Sequence, residues 1–219
     1  MSNFDTLLHP VTISQVMINF TARQGGDRQT CLLGTGIAEE DLQAADGLVT
    51  RAQEMRLIEN LILALPDIPA LGFRLGLQYS VSTFGIWGFA LRTSRTLRDA
   101  TKLALRYLPL STAYCQMQTF VEGDDFGIEF DPDDIPRHLR QFLLERDLAT
   151  GLNLFKELSL SGFDVQAIEP IFGVRPKDIS PHQMFLGLTP KFISGPGGRS
   201  DYWGRQLMTA SAMLFWKLM

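Results

Sequence analysis

This chain of 219 residues has too little of several things to belong to the classes that need them. Cys31 and Cys115 lie far apart and match no metal spacing, so they read as reduced, mostly buried thiols of a cytoplasmic protein. The three histidines, His9, His138 and His182, are scattered, with no HExxH and no Cys/His cluster, and no metal site is expected from them. No GxSxG turn offers a nucleophile, and the acid pair Asp124/Asp125 sits in turn chemistry where solvation accounts for it. The chain therefore reads as something other than an enzyme, with no catalytic residue to name. Gly34-Thr35-Gly36 opens like a dinucleotide loop, but Glu39 stands where the third glycine belongs, so no nucleotide cofactor is implied. Excess positive charge is missing too. The net charge is −4 and the pI about 5.4, which is not the footprint of a nucleic-acid-binding chain. The start, MSNFDTLLHPVTISQ, lacks the basic and apolar regions of a signal peptide. No apolar run approaches the roughly 20 residues that span a bilayer, so no membrane partner is expected. No internal repeat or low-complexity linker interrupts the chain.

What is present is an ordinary globular composition, 45% hydrophobic and 20% charged, enough for one large domain or two small ones. Residues 13–24 carry Val16, Met17 and Phe20 at helical spacing, and Gly25-Gly26 stops them. Residues 38–43 read as a short helix. Thr50 and Gln53 form a capping box before a helix with Met55, Ile58, Ile62 and Leu65 on its inner face, closed by Pro66. Thr96 and Asp99 form a second box, before a helix with Leu97, Ala100, Ala104 and Leu108 inward and Pro109 at its end. The period then changes to two. Cys115, Met117 and Val121 alternate with Gln116 and Gln118, and Phe126, Ile128 and Phe130 alternate with Gly127, Glu129 and Asp131. That is a hairpin with one wet face. Residues 137–158 read as the longest helix, with Leu139, Phe142, Leu148, Leu152 and Phe155 apolar. Gly151 inside it costs about 1 kcal/mol relative to Ala, and close approach of another element is the simplest account. Residues 164–172 read as a third strand. The expected class is α+β: a helix-rich single domain packed on a small antiparallel sheet.

Three further patterns bear on function. Gly72/Gly76 and Gly85/Gly88 sit at helical spacings, which favours closely packed helices over a ligand cavity. Arg95, Arg98, Lys102 and Arg106 fall on one helical face opposite Leu97 and Ala104, a solvated basic stripe. Aromatic residues gather at Phe84, Trp87, Phe89, Tyr107, Tyr114 and Phe120 and read mostly as core. Small-molecule pockets are lined by such side chains with a few polar atoms, so an effector site is sought at Trp87, Tyr107, Tyr114 and Gln116.

Residues 68–108, IPALGFRLGLQYSVSTFGIWGFALRTSRTLRDATKLALRYL, are the most distinctive stretch of the chain. The stretch resembles the "GLxxG…S…G…G…ALxxSxTLxxAL…Y" segment in the N-terminal sensory domain of one branch of the AraC/XylS-type transcription regulators. The resemblance extends over roughly residues 10–178. It implies an arabinose-binding-like domain that senses an unidentified small-molecule effector, forms homodimers, and reaches DNA only through a C-terminal helix-turn-helix domain that these residues do not include. On that basis residues 10–186 are expected to form the sensory domain. Residues 187–219, with Gly195-Pro196-Gly197-Gly198 and an end rich in Trp and Met, depart from the family pattern and are expected to be a frameshifted or truncated tail. Two readings follow: the sensory and dimerisation module of a regulator, or a free-standing small-molecule-binding or interaction protein that modulates an intact one.

Overall fold

The computed structural model of the chain describes residues 7–44, 46–122, 125–160, 169–172, 191–192 and 212–217. The chain opens with strand β1 (Leu8–Pro10), helices α1 (Val11–Arg23) and α2 (Arg28–Leu32), strand β2 (Leu48–Thr50) and helix α3 (Arg51–Ala64). Helices α4 (Leu71–Gly76), α5 (Gly85–Arg92) and α6 (Leu97–Arg106) follow. Next come strands β3 (Gln116–Glu122) and β4 (Asp125–Asp131), helix α7 (Arg140–Leu160), and strands β5 (Glu169–Phe172), β6 (Lys191–Phe192) and β7 (Ala212–Lys217). The fold is α+β with helices dominant, as the periodicities predict. Two units separate by packing: Met1–Leu71 with Gln78–Thr112, and Gly72–Leu77 with Ala113–Met219.

In the first unit β1 and β2 pair antiparallel, with His9 opposite Val49. Helix α1 starts directly after Pro10 and buries Val11, Ile13, Met17, Ile18 and Phe20, while Val16 is half-buried. Gly25, at φ +87°, turns the chain out of the helix in the left-handed conformation that glycine tolerates best. Residues 38–43 form a single 3-10 turn at Asp41–Gln43 instead of a longer helix. The capping box on α3 is as the sequence predicts: Gln53 N–H donates to Thr50 Oγ1 (3.2 Å) and Thr50 N–H to Gln53 Oε1 (2.9 Å). Its inner face differs. Glu54, Leu57, Ile58, Leu61 and Leu65 are buried, and Met55 and Ile62 are only half-buried. Polar residues with tertiary partners turn that face: Asn60 is buried because its amide donates to the carbonyls of Cys31 (3.0 Å) and Leu33 (2.7 Å). Thr96 caps α6, accepting from Asp99 N–H at 3.1 Å. Leu97, Ala100 and Thr101 are buried there, whereas Ala104 and Leu108 are half-buried.

In the second unit the strands run in the order β3-β4-β7-β5-β6, antiparallel except for the parallel β5–β6 pair. The hairpin register places Gln116 opposite Asp131 and Thr119 opposite Ile128. Helix α7 starts at Arg140 because Pro136 and the turn after it occupy residues 136–139, and Leu139, Phe142, Leu148, Leu152 and Phe155 are all buried. Helix α4 lies directly on α7. A Cβ on Gly72 would stand 2.1 Å from the Phe142 carbonyl oxygen, and one on Gly76 2.3 Å from that of Arg146. Those two glycines are therefore close-packing residues, as their spacing predicts. Phe130 of β4 approaches Gly151, its Cζ 3.4 Å from where a Cβ would be, which is ordinary van der Waals contact. The third strand covers Glu169–Phe172, and the rest of the expected 164–172 span lies outside the described residues. The expected boundary at 186/187 and the tail of residues 187–219 also lie outside them, apart from β6 and β7.

Candidate functional site

The four expected effector residues divide between the units. Trp87 and Tyr107 belong to the first, Tyr114 and Gln116 to the second. Trp87 is only 6% exposed on the inner face of α5. It gets there because Gly88, next in sequence, lets α5 settle on the preceding 3-10 turn; a Cβ at Gly88 would lie 1.9 Å from the Val81 carbonyl oxygen. The Phe84 ring meets Trp87 edge-on at 5.2 Å, and Tyr79 stands 6.1 Å from Phe84. Among the described residues, the buried Trp87 indole N–H finds no acceptor. A buried donor without a partner costs about 1–3 kcal/mol, so this atom suits an acceptor supplied from elsewhere. Tyr107, by contrast, is 45% exposed and lies beneath the Arg106 guanidinium at 5.6 Å. Phe89, grouped with the core by its sequence neighbourhood, is exposed. Its position two residues from Trp87 on the helix turns it to the opposite side.

In the second unit Tyr114 is buried, with the Arg146 guanidinium 4.9 Å above its ring. Gln116 is exposed and its amide donates to Asp134. The residues around Tyr114 form a polar cluster that the sequence does not announce. Asp147 Oδ2 accepts the N–H groups of Tyr114 (2.7 Å) and Cys115 (2.8 Å). Its Oδ1 accepts from Arg146 Nε (3.1 Å) and Nη2 (2.9 Å). Both carboxylate oxygens are thus engaged, which is how a buried charge is made tolerable. The cluster ties the start of β3 to the middle of α7. Burial, reinforced by the neighbouring Asp147 charge, pushes the Cys115 thiol well above its ordinary range, so the cluster holds no thiolate nucleophile. Burial also raises the Glu145 carboxyl, partly offset by hydrogen bonds from Gln141 and the Phe73 backbone.

A second buried pair joins His9 Nδ1 of β1 to Glu54 Oε2 of α3 in the first unit, both side chains fully buried. Glu129, expected on the wet face of the hairpin, is buried as well and accepts from Gln118 Nε2 at 2.8 Å. A signal for Glu145-Arg146-Asp147 does exist. Leu143 and Leu144 before it and Leu148 and Ala149 after it flank the triplet with apolar residues, although the helix as a whole carries many polar ones. Nothing local to His9 or Glu54 marks that pair. Arg95, Arg98, Lys102 and Arg106 are exposed, as their spacing predicts. Among the described residues no group of three His, Cys, Asp or Glu side chains is arranged to hold a metal, and no helix is long and apolar enough to cross a membrane.

The chain belongs to the family described as the arabinose-binding domain of AraC transcription regulators, N-terminal part, which matches residues 25–195. This is a family of transcription-regulator domains and not of enzymes. An uncharacterised HTH-type transcriptional regulator of Mycobacterium tuberculosis is 32% identical over 141 residues, covering 64% of this chain and 41% of the relative. The ornithine utilization regulator of Pseudomonas aeruginosa is 31% identical over 105 residues, covering 48% of this chain and 31% of that protein. The chain thus spans less than half the length of these relatives. The crystal structure of the transcriptional regulator CdpR from Pseudomonas aeruginosa shares the fold, with a TM-score of 0.61 at 16% identity over 94% of this chain and 55% of that one.

Proposed function

We propose that this chain is the effector-sensing and dimerisation part of an AraC-type transcription regulator, and that DNA is reached through a helix-turn-helix domain beyond these residues. The family match across residues 25–195 carries the reading. Ligand or dimer contacts here bias the DNA-binding part by favouring one of two states, which is what allosteric coupling requires. The effector is a small apolar or amphipathic molecule bearing a hydrogen-bond acceptor, and Trp87 is its first contact. Support comes from the Trp87 indole N–H, buried among aromatic rings and without an acceptor among the described residues. The role first sought for Tyr107, Tyr114 and Gln116 narrows accordingly, since Tyr114 lies under Arg146 and Gln116 holds Asp134.

Thermal-shift screening of the purified chain against sugars, amino acids and fatty acids tests this. A ligand at 100 times its dissociation constant stabilises the folded state by about 2.7 kcal/mol. One class is expected to raise the melting temperature, and Trp87→Phe, which keeps an aromatic though smaller ring and removes the N–H, is expected to shrink that shift. A cooperatively melting chain that no class shifts argues against effector sensing. An undiminished shift in Trp87→Phe removes Trp87 from the site while leaving the sensory reading standing.

A further inference from the structure

We propose that the outer surface of α5 and α6 is a docking face for an acidic segment of another protein that also carries apolar side chains. Residues 85–110 hold Arg92, Arg95, Arg98, Lys102 and Arg106 against one carboxylate, Asp99, in a chain whose net charge is −4. This stretch is therefore strongly positive, while the rest of the chain taken together is net negative. All five cations are exposed. Among the described residues Arg95, Lys102 and Arg106 pair with no carboxylate. Asp99 is occupied locally, accepting from the Thr96 hydroxyl at 2.8 Å.

The neighbouring helix adds exposed apolar side chains. Helix α5 packs on α6 and buries Trp87, Gly88 and Leu91. Its other side presents Ile86, Phe89 and Arg92 at three-residue spacing, with Ile86 83% and Phe89 66% exposed. Residues three apart share one helical face, so two large apolar groups and a cation form a single row. A solvated face has no need of two such side chains in line. A docking face uses them as anchors, while surrounding charges set the sign of the partner and speed its arrival.

The occupant follows from charge and from the apolar row. Duplex DNA matches the cations but offers its phosphates no apolar surface, and a chain of net −4 repels it beyond this patch. A second copy pairing face to face sets the same five cations against one another. The acid-rich loop of such a copy is already engaged: Asp133 takes Arg140 Nη1 at 3.1 Å and Asp134 takes Gln116. A separate acidic polypeptide with apolar residues satisfies both features.

Fluorescence anisotropy on the full chain tests this with three labelled probes: an amphipathic helical peptide with glutamates on one face and leucines on the other, its lysine-for-glutamate counterpart, and a duplex of about 20 base pairs. The glutamate peptide is expected to bind, more weakly as salt rises. The double change Lys102→Glu with Arg106→Glu is expected to weaken it about tenfold or more. Phe89→Ser is expected to weaken it while keeping the salt dependence. These side chains are exposed, so the variants' melting temperatures should stay close to that of the parent, which separates lost docking from lost folding. No binding, equal binding of the lysine peptide, or preference for the duplex overturns the proposal. So does sedimentation showing that the charge reversal abolishes a dimer of this chain.

Discussion

The dipeptide Arg-Asp occurs on two helices and meets opposite fates. On α6, Arg98 and Asp99 are both exposed, and Asp99 does no more than close a cap with Thr96. On α7, Arg146 and Asp147 are both buried, and Asp147 gathers a guanidinium and two backbone amides from the start of β3. The amino acids are the same and both segments are helical. What differs is the company: α6 has one apolar face and one open face, whereas α7 is enclosed by α4 at one side and by the Tyr114–Cys115 backbone at another. Charge in a sequence predicts exposure only where the helix keeps a face free for water.

The sharpest way to break this comparison is to remove each carboxylate. Asp147→Ala removes the carboxylate that the buried Arg146 guanidinium and two backbone N–H groups share, and a loss of about 3–5 kcal/mol in urea denaturation is expected. Asp99→Ala, on the surface, is expected to cost about 0.5 kcal/mol. Equal costs would mean that burial on α7 does not set the value of its pair.

The packing of α7 is tested next. Gly76→Ala drives a methyl into the Arg146 carbonyl and the Ala149 side chain, where backbone cannot easily move, and is expected to cost about 1–3 kcal/mol. Gly151→Ala, on the same helix, meets only the end of the Phe130 ring at 3.4 Å. There the better helix propensity of alanine is expected to win, adding up to about 1 kcal/mol. Thermal melts of the two variants should move in opposite directions; movement in the same direction would undo the distinction between the two approaches.

The smallest effect is a pH slope. Burial raises the Glu145 carboxyl above its ordinary value of 4.5, so the fold favours the protonated form. Its contribution to stability is full below the ordinary glutamate range and is lost as pH rises through the raised value. Glu145→Gln is expected to flatten that decline in urea midpoints measured from about pH 4 upward. An unchanged slope would assign the decline to other groups.

Much of the first unit was legible because its signals are local. The Thr50–Gln53 box, the Thr96 cap and the Gly25 stop each depend on residues within one turn. The inner face of α3 was not legible. Met55 and Ile62 fit the apolar period better than Glu54 and Asn60, but His9 and the Cys31 and Leu33 carbonyls, far away in sequence, draw the polar pair inward. Of the residues sought for an effector, Trp87 combines burial with a polar atom lacking a described partner, a property that spacing cannot report. Tyr107 was grouped with it by sequence proximity but lies on the surface, because the tyrosine follows the end of α6 and escapes its buried face.

The sequence alone determined where α3 and α6 begin, where the period changes from helix to hairpin, the close packing at Gly72, Gly76 and Gly88 though not at Gly85, which faces open space, and which family the 68–108 segment resembles. These depend on backbone propensity, hydrogen-bond capping and apolar spacing, all carried by neighbours along the chain. Only the tertiary structure decided which charges go inside. A buried carboxylate is tolerated where partners converge on it, and the backbone donors to Asp147 and the His9 partner of Glu54 come from segments that local spacing cannot bring together.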